Sequence, residues 1–143
     1  AYQQMVSRLR TAGEMAKQEG ITIGIRTGMG AKFDKKLLKK VGSSQIKVYY
    51  NFQDAADHHR DICKELRKLG AQRIVQIHAS NTDSVNLQED PEINLPKIRK
   101  TLDKMKWSGW LVVERSRDVK RVRDVKYNFG RNIAYLKQVF QEW

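Results

Sequence analysis

Cysteine is almost missing from these 143 residues, Cys63 being the only one. A single thiol makes no intramolecular disulfide, so no covalent staple supports the fold, and a reducing, cytoplasmic setting is expected. Also missing is any apolar stretch near the ~18–20 residues of a membrane span, or a secretory signal pattern at the start. No membrane partner is therefore expected. The first residue is Ala1 and not Met, which reads as a processed, trimmed or excised chain. No Ser-His-Asp, Cys-His or phosphate-loop arrangement is visible, which removes the commonest nucleophilic and nucleotide-hydrolysing chemistries.

Acidic residues are in short supply: 16 Asp and Glu stand against 28 Lys and Arg, for a net charge of +12. Such an excess can mark a nucleic-acid or other polyanion partner. The cations are scattered, however, through Lys35, Lys36, Lys39 and Lys40, Lys97 to Lys106, and Lys120 to Lys126, mostly on the outer faces of predicted helices. No RNA-binding aromatic signature, helix-turn-helix or zinc-finger spacing accompanies them, which argues against specific nucleic-acid recognition and for a solvated basic surface. Hydrophobic content of 40% and charged content of 31% are globular values, and the length suits one domain spanning 1–143.

What is present alternates in period. Tyr2, Met5, Val6, Leu9, Ala12, Met15 and Ala16 recur at helical spacing, predicting a helix over 1–18 that stops at Gly20. Ile21 to Ile25 is a short β-branched run of the kind buried on both faces of a sheet. Asp34 is placed to cap a helix carrying Leu37, Leu38 and Val41 and ended by Gly42. Ile46 to Tyr50 is a second strand, followed by a helix with Ile62, Cys63, Leu66 and Leu69 that stops at Gly70. Arg73 to His78 is a third strand, and a long polar loop runs from Ala79 to Asn94. Pro96 suits the first turn of a helix whose inner face is Ile98, Leu102 and Met105. Trp110 to Glu114 is a fourth strand, and the last helix carries Ile133, Leu136, Val139 and Phe140.

One helix followed by four strand–helix units implies a parallel α/β sheet. An open doubly wound sheet also fits this order, but Gly24, Gly28 and Gly30 lack the spacing of its dinucleotide fingerprint. Arg26, Asn51, His78 and Glu114 each stand at the C-terminal end of a strand, the end at which barrels and open α/β sheets build their sites. His58 and His59, in a polar stretch before a helix, are expected to be exposed, and Trp107 and Trp110 are read as packing residues.

At these strand ends the chain resembles the xylose-isomerase-like superfamily of sugar-phosphate isomerases, ketose 3-epimerases and endonuclease IV. The similarity lies in Gly20 to Ile25, Ile46 to Phe52, Val75 to His78 and, most specifically, Ser108-Gly109-Trp110-Leu111-Val112-Val113-Glu114, with Leu95-Pro96-Lys97-Ile98 similar to the start of the family's penultimate helix. It corresponds to the family's fifth to eighth strands alone, so the fold it implies is half of a (β/α)8 barrel, four parallel βα units preceded by a helix. The resemblance implies a divalent cation (Mn²⁺, Mg²⁺ or Zn²⁺) held by Glu, Asp, His and Glu, one from each strand end, polarising a sugar while carboxylates move a proton. His78 and Glu114 match that pattern as ligands and, if the chain is active, as catalytic groups. Asn51 stands where Asp is implied and could offer a carbonyl oxygen; Arg26 stands where Glu is implied and has no lone pair to give. Arg26 is expected to pair with Glu114 across the rim. Asp54 is either a turn or cap residue or the second ligand that endonuclease IV-like members place there. Arg26, Asp54, Arg115 and Arg117 are the candidates for substrate binding, Arg115 and Arg117 being either surface-loop residues or contacts to a substrate phosphate.

With one carboxylate left of three, no bound cofactor is expected. A full barrel takes roughly 250 residues, so four strands leave bare edges and an apolar face. The expected solution is a homodimer closing eight strands, the leading helix covering the seam beside the first strand. The expectation is thus a catalytically silent, self-associating, engineered or excised half-barrel. The rival readings are an active metal-dependent sugar or sugar-phosphate isomerase or epimerase and, more weakly, polyanion or abasic-DNA binding.

Overall fold

The computed structural model describes residues 1–80, 85–114 and 117–141. Helix α1 (Tyr2–Gln18) leads into β1 (Ile23–Ile25), α2 (Ala31–Val41), β2 (Ile46–Asn51), α3 (Phe52–Asp57), α4 (Ile62–Leu69), β3 (Ile74–His78), α5 (Leu95–Lys104), β4 (Trp110–Val112) and α6 (Val125–Phe140). The four strands form one sheet in the order β1-β2-β3-β4, every pair parallel. That order walks one way with no reversal, whereas a doubly wound sheet turns back at a switch point. Burial gives the same answer. Along β2, Ile46, Val48 and Tyr50 are 2–5% exposed while Lys47 and Tyr49 are only half-buried, so helices cover one face of the sheet. This is half of a barrel wall.

The core lies between that face and the helix layer. Leu37 on α2, Leu66 and Leu69 on α4, and Leu95 and Ile98 on α5 are all 0–1% exposed against Ile46, Val48, Ile74 and Ile77. Each such side chain contributes about 1.5–3 kcal/mol by leaving water. The helix ends follow local chemistry: Asp61, Asn94 and Asp124 each accept a backbone N–H from their first turn, and Gly42 ends α2 at φ 72°.

Several expectations need correction. Strand β1 starts at Ile23, since Ile21 and Thr22 lie exposed beyond the paired register, and Gly24 is exposed too; an edge strand without a cover on its inner face is not buried on both sides. Strand β4 ends at Val112, two residues before Glu114. Asp34 is not a cap. Gly30 occupies that position, and the Asp34 carboxyl is buried inside the first turn of α2, where it accepts a hydrogen bond from the Thr27 hydroxyl. Helix α3 was not legible as such, and Ile133 is 42% exposed although it falls on the apolar stripe of α6. Trp107 packs, its indole N–H donating to the Ile74 carbonyl at 2.9 Å, but Trp110 is 76% exposed because it pairs with Gln76 on the face that no helix covers, in the edge strand of the sheet.

Helix α1 packs on α2 and the turn entering β2. Arg10 donates to the Val41 carbonyl at 3.2 Å and to that of Lys40 at 2.5 Å, and Gly13 lies where a Cβ would come within 2.3 Å of the Ser43 hydroxyl. Gly→Ala inside a helix ordinarily stabilises by about 1 kcal/mol. Here overpacking, at about 1–3 kcal/mol, wins. Gly13→Ala is expected to lower stability in chemical denaturation, and Ser43→Gly in the same chain to recover most of the loss.

Candidate functional site

Side chains alternate across a strand, so the residues that miss the helix layer share the uncovered face. Tyr50 and Ile77 are buried under helices, which turns Asn51 and His78, one residue on, to the open side at the strand tips. Asn51, His78 and Val112 lie in register, Arg26 follows Ile25 at the end of β1, and Glu114 follows two residues after Val112. The four strand-end residues therefore meet, and Asp54, in the first turn of α3, joins them.

Arg26 clamps Asp54 with two bonds, Nη2 to Oδ1 at 2.7 Å and Nε to Oδ2 at 2.8 Å, and its Nη1 reaches Glu114 Oε2 at 3.4 Å. The sequence expectation named only the Glu114 contact; the shorter, two-point pairing is with Asp54. Three intervals of a flat sheet span about 14 Å, so a contact between the two edge strands' tips requires the sheet to curl toward its open face. Glu114 Oε2 also receives the Asn51 amide at 3.3 Å and lies 2.9 Å from His78 Nδ1. The ring of Tyr49 stacks obliquely on His78 with centroids 3.7 Å apart.

Asn51 has two jobs. Its Oδ1 accepts the Asp54 backbone N–H at 3.2 Å, which caps α3. That cap sets the amide orientation, leaving Nδ2 to face the rim, so Asn51 presents a donor there and not the carbonyl oxygen expected of it. His78 Nδ1 lies between this donor, at 3.2 Å, and the carboxylate, at 2.9 Å. A hydrogen bond to Glu114 requires the proton on Nδ1, and the Asn51 amide then serves the carboxylate.

The charges follow these contacts. Hydrogen bonds from Arg26 hold the Asp54 carboxyl below the usual carboxylate range, and Asp54 in turn raises the Arg26 guanidinium. Burial lowers the His78 imidazole and Arg26 lowers it further, against the pull of Glu114 and Asp54. As a donor set for a divalent cation the rim does not fit. Among the described residues no three or more His, Cys, Asp or Glu side chains are gathered for a metal, Arg26 occupies both oxygens of Asp54, and an amide N–H and a guanidinium point where lone pairs are needed.

Arg117 is exposed and makes none of these contacts, and Arg115 lies outside the described residues. His58 and His59 are exposed, as expected; His58 Nδ1 lies 2.8 Å from the Asp54 carbonyl. Sequence reasoning missed a buried support behind the rim. Tyr50 donates to Glu65 Oε2 at 2.9 Å, Glu65 Oε1 accepts the Ala31 N–H at 3.0 Å, and Arg60 pairs with Glu65 at 3.2 Å. Arg60 Nη2 also donates to the carbonyls of Gly28 and Asp54 at 3.2 and 2.9 Å. Burial and the Glu65 charge push the Tyr50 hydroxyl far up. The signal was there: Glu65 sits on the same stripe as Ile62, Leu66 and Leu69, a carboxylate on a buried helix face.

A family model described as xylose isomerase-like TIM barrel matches residues 1–139. No curated protein matches. Among solved structures, a 3-keto-D-glucoside 4-epimerase from E. coli superposes with a TM-score of 0.80 at 12% identity, covering 96% of this chain and 53% of that one. A D-psicose 3-epimerase with D-tagatose from Clostridium cellulolyticum H10 gives 0.78 at 16%, covering 96% and 55%. An AP endonuclease, family 2, from Brucella melitensis gives 0.68 at 17%, covering 88% and 53%. The chain thus spans about half the length of these similar structures, and the likeness is one of fold.

The Asp54 contribution to stability, from a depressed carboxyl, is full above the unfolded value of about 3.9 and is lost as pH falls through the folded one. His78, also depressed, contributes above its unfolded value of about 6.5 and loses that contribution as pH falls below it. Arg26→Gln is expected to raise the His78 midpoint followed by NMR and to flatten the acid limb due to Asp54; Glu114→Gln should move the His78 midpoint the other way.

Proposed function

The chain belongs to the xylose isomerase-like TIM-barrel family, and we propose that it is a barrel half of sugar isomerase or epimerase descent whose metal position has been replaced by an ion-pair network. It is catalytically silent by itself and acts as a self-associating scaffold. The observation that carries this reading is the two-point clamp of Arg26 on Asp54, extended to Glu114. The family pattern places three carboxylates and an imidazole at the strand tips, an array that repels itself until a cation binds. Arg26 supplies a permanent positive charge from within, and with Asn51 neutral the four positions sum to no net charge while His78 is neutral. A divalent cation would have to displace a guanidinium already hydrogen-bonded to two carboxylates.

Self-association is supported by what the sheet leaves open. Strands β1 and β4 are its two edges, and along β4 a groove of about 870 Å³, lined by Leu111, Val113, Phe129, Ile133 and Phe140, runs beneath α6 beside exposed Trp110. Under a two-fold axis, β4 of each copy meets β1 of the other, and eight strands close with no bare edge. The +12 charge of each copy opposes this, but screening over about 8 Å at physiological salt limits the repulsion between outer surfaces, so the dimer should tighten as salt rises.

Light scattering on the purified chain at micromolar concentration is expected to give twice 16.7 kDa, and Trp110→Lys to return the mass toward one copy. A mass of 16.7 kDa for the unsubstituted chain at all salt concentrations would sink the dimer. Titration with Mn²⁺ in a calorimeter is expected to show no saturable site, whereas Arg26→Glu with Asn51→Asp should create one per chain. Tight stoichiometric Mn²⁺ binding by the unsubstituted chain that is lost in His78→Ala would replace the silent reading with an active isomerase or epimerase.

A further inference from the structure

The basic residues are not all idle surface. At the end of the sheet where the strands begin, a groove of about 660 Å³ opens between the outer side of α2 and the short turn at Ala71–Arg73 that precedes β3. Four cations line it, Lys35 and Lys39 from α2, Lys47 from β2 and Arg73 from the turn, and no carboxylate does. Among the described residues none of the four is ion-paired, and Arg73 spends one donor, Nη1, on the Leu69 carbonyl at 2.8 Å. Ser43 and Gln72 add uncharged hydrogen-bonding groups, over a floor that includes buried Leu38 and Ile46.

Lys35 and Lys39 are four residues apart on one helix and repel each other. At the C-terminal ends of α2 and α4 the helix dipoles offset part of this for Lys39 and for Arg73, which bonds the last carbonyl of α4, but Lys35 and Lys47 have no such compensation among the described residues. A concave, low-dielectric wall carrying one sign of charge concentrates field in its groove and draws counter-ions there. The volume suits a small ligand rather than a single ion. No aromatic side chain lines it, so nothing is present to stack on a base or a sugar ring.

We propose that this groove is an anion site for a short phosphate chain, of two or three linked phosphates, recognised through the phosphates alone. It lies at the opposite end of the strands from the rim: Lys47 and Asn51 are four residues apart along β2, about 13 Å, so the site is independent of the metal question. A nucleoside triphosphate and an inorganic oligophosphate carry the same recognised group, and the test separates them.

Titration of the full chain with inorganic triphosphate at about 0.15 M salt is expected to saturate at one per chain. Lys47→Gln with Arg73→Gln, and separately Lys35→Gln with Lys39→Gln, should each weaken binding about tenfold or more, with circular dichroism unchanged. Lys100→Gln with Lys104→Gln, the same charge change on α5 away from the groove, should leave affinity within about twofold, because non-specific attraction alone would respond to net charge. ATP should bind no more tightly than triphosphate. The proposal is overturned by the absence of saturation, by an equal loss in the α5 variant, or by ATP binding far more tightly than triphosphate.

Discussion

A parallel sheet covered on only one face is the constraint from which the remaining features follow. Helices α2, α4 and α5 bury Ile46, Val48, Tyr50, Ile74 and Ile77, and that single packed layer holds strands of three to six residues in register. Because the outer residues are committed to the core, every second residue is delivered to the open face, and the last of each series stands at the rim. The same one-sidedness leaves Trp110 and the β4 edge uncovered. Rim and edges are thus two consequences of one arrangement.

At the rim, charge balance decides the chemistry. Arg26 reaches across the curl of the sheet from one edge strand to the tip of the other, through Asp54 and Glu114, and in doing so ties the two ends of the half-barrel together. A metal in that place would do the same mechanical work with a different sign pattern around it. The structural job of joining four strand tips and the chemical job of polarising a substrate are therefore separable. Here Arg26, Asn51, Asp54 and Glu114 do the first job through direct hydrogen bonds.

Much of this was legible in the sequence. The helix and strand order, the parallel sheet and the convergence of Arg26, Asn51, His78 and Glu114 all follow from periodicity and from polar residues ending apolar runs. What was not legible depended on contacts between distant segments. Asp34 looks like a cap locally, and only the packed loop before it shows that Thr27 and burial claim its carboxyl. Asn51 was ambiguous because an amide offers both an oxygen and an N–H, and its orientation is decided by the cap of α3, a helix whose six residues, Phe52–Asp57, are too few to display a period. Trp110 was misjudged because a strand's own pattern says nothing of whether the face it turns to is covered.

Arg60 deserves a mechanical description. From one partly covered guanidinium it holds the carbonyl of Gly28 in the loop after β1, the carbonyl of Asp54 in α3, and Glu65 on α4, which in turn holds Ala31 and Tyr50. One loop and two helices thus hang on a single bolt. In such a linkage the parts do not loosen one after another: when the bolt slips, the loop that carries Arg26 and the helix that carries Asp54 lose their anchorage together. The rim should consequently fail as a unit, abruptly, well before the helix layer beneath it comes apart.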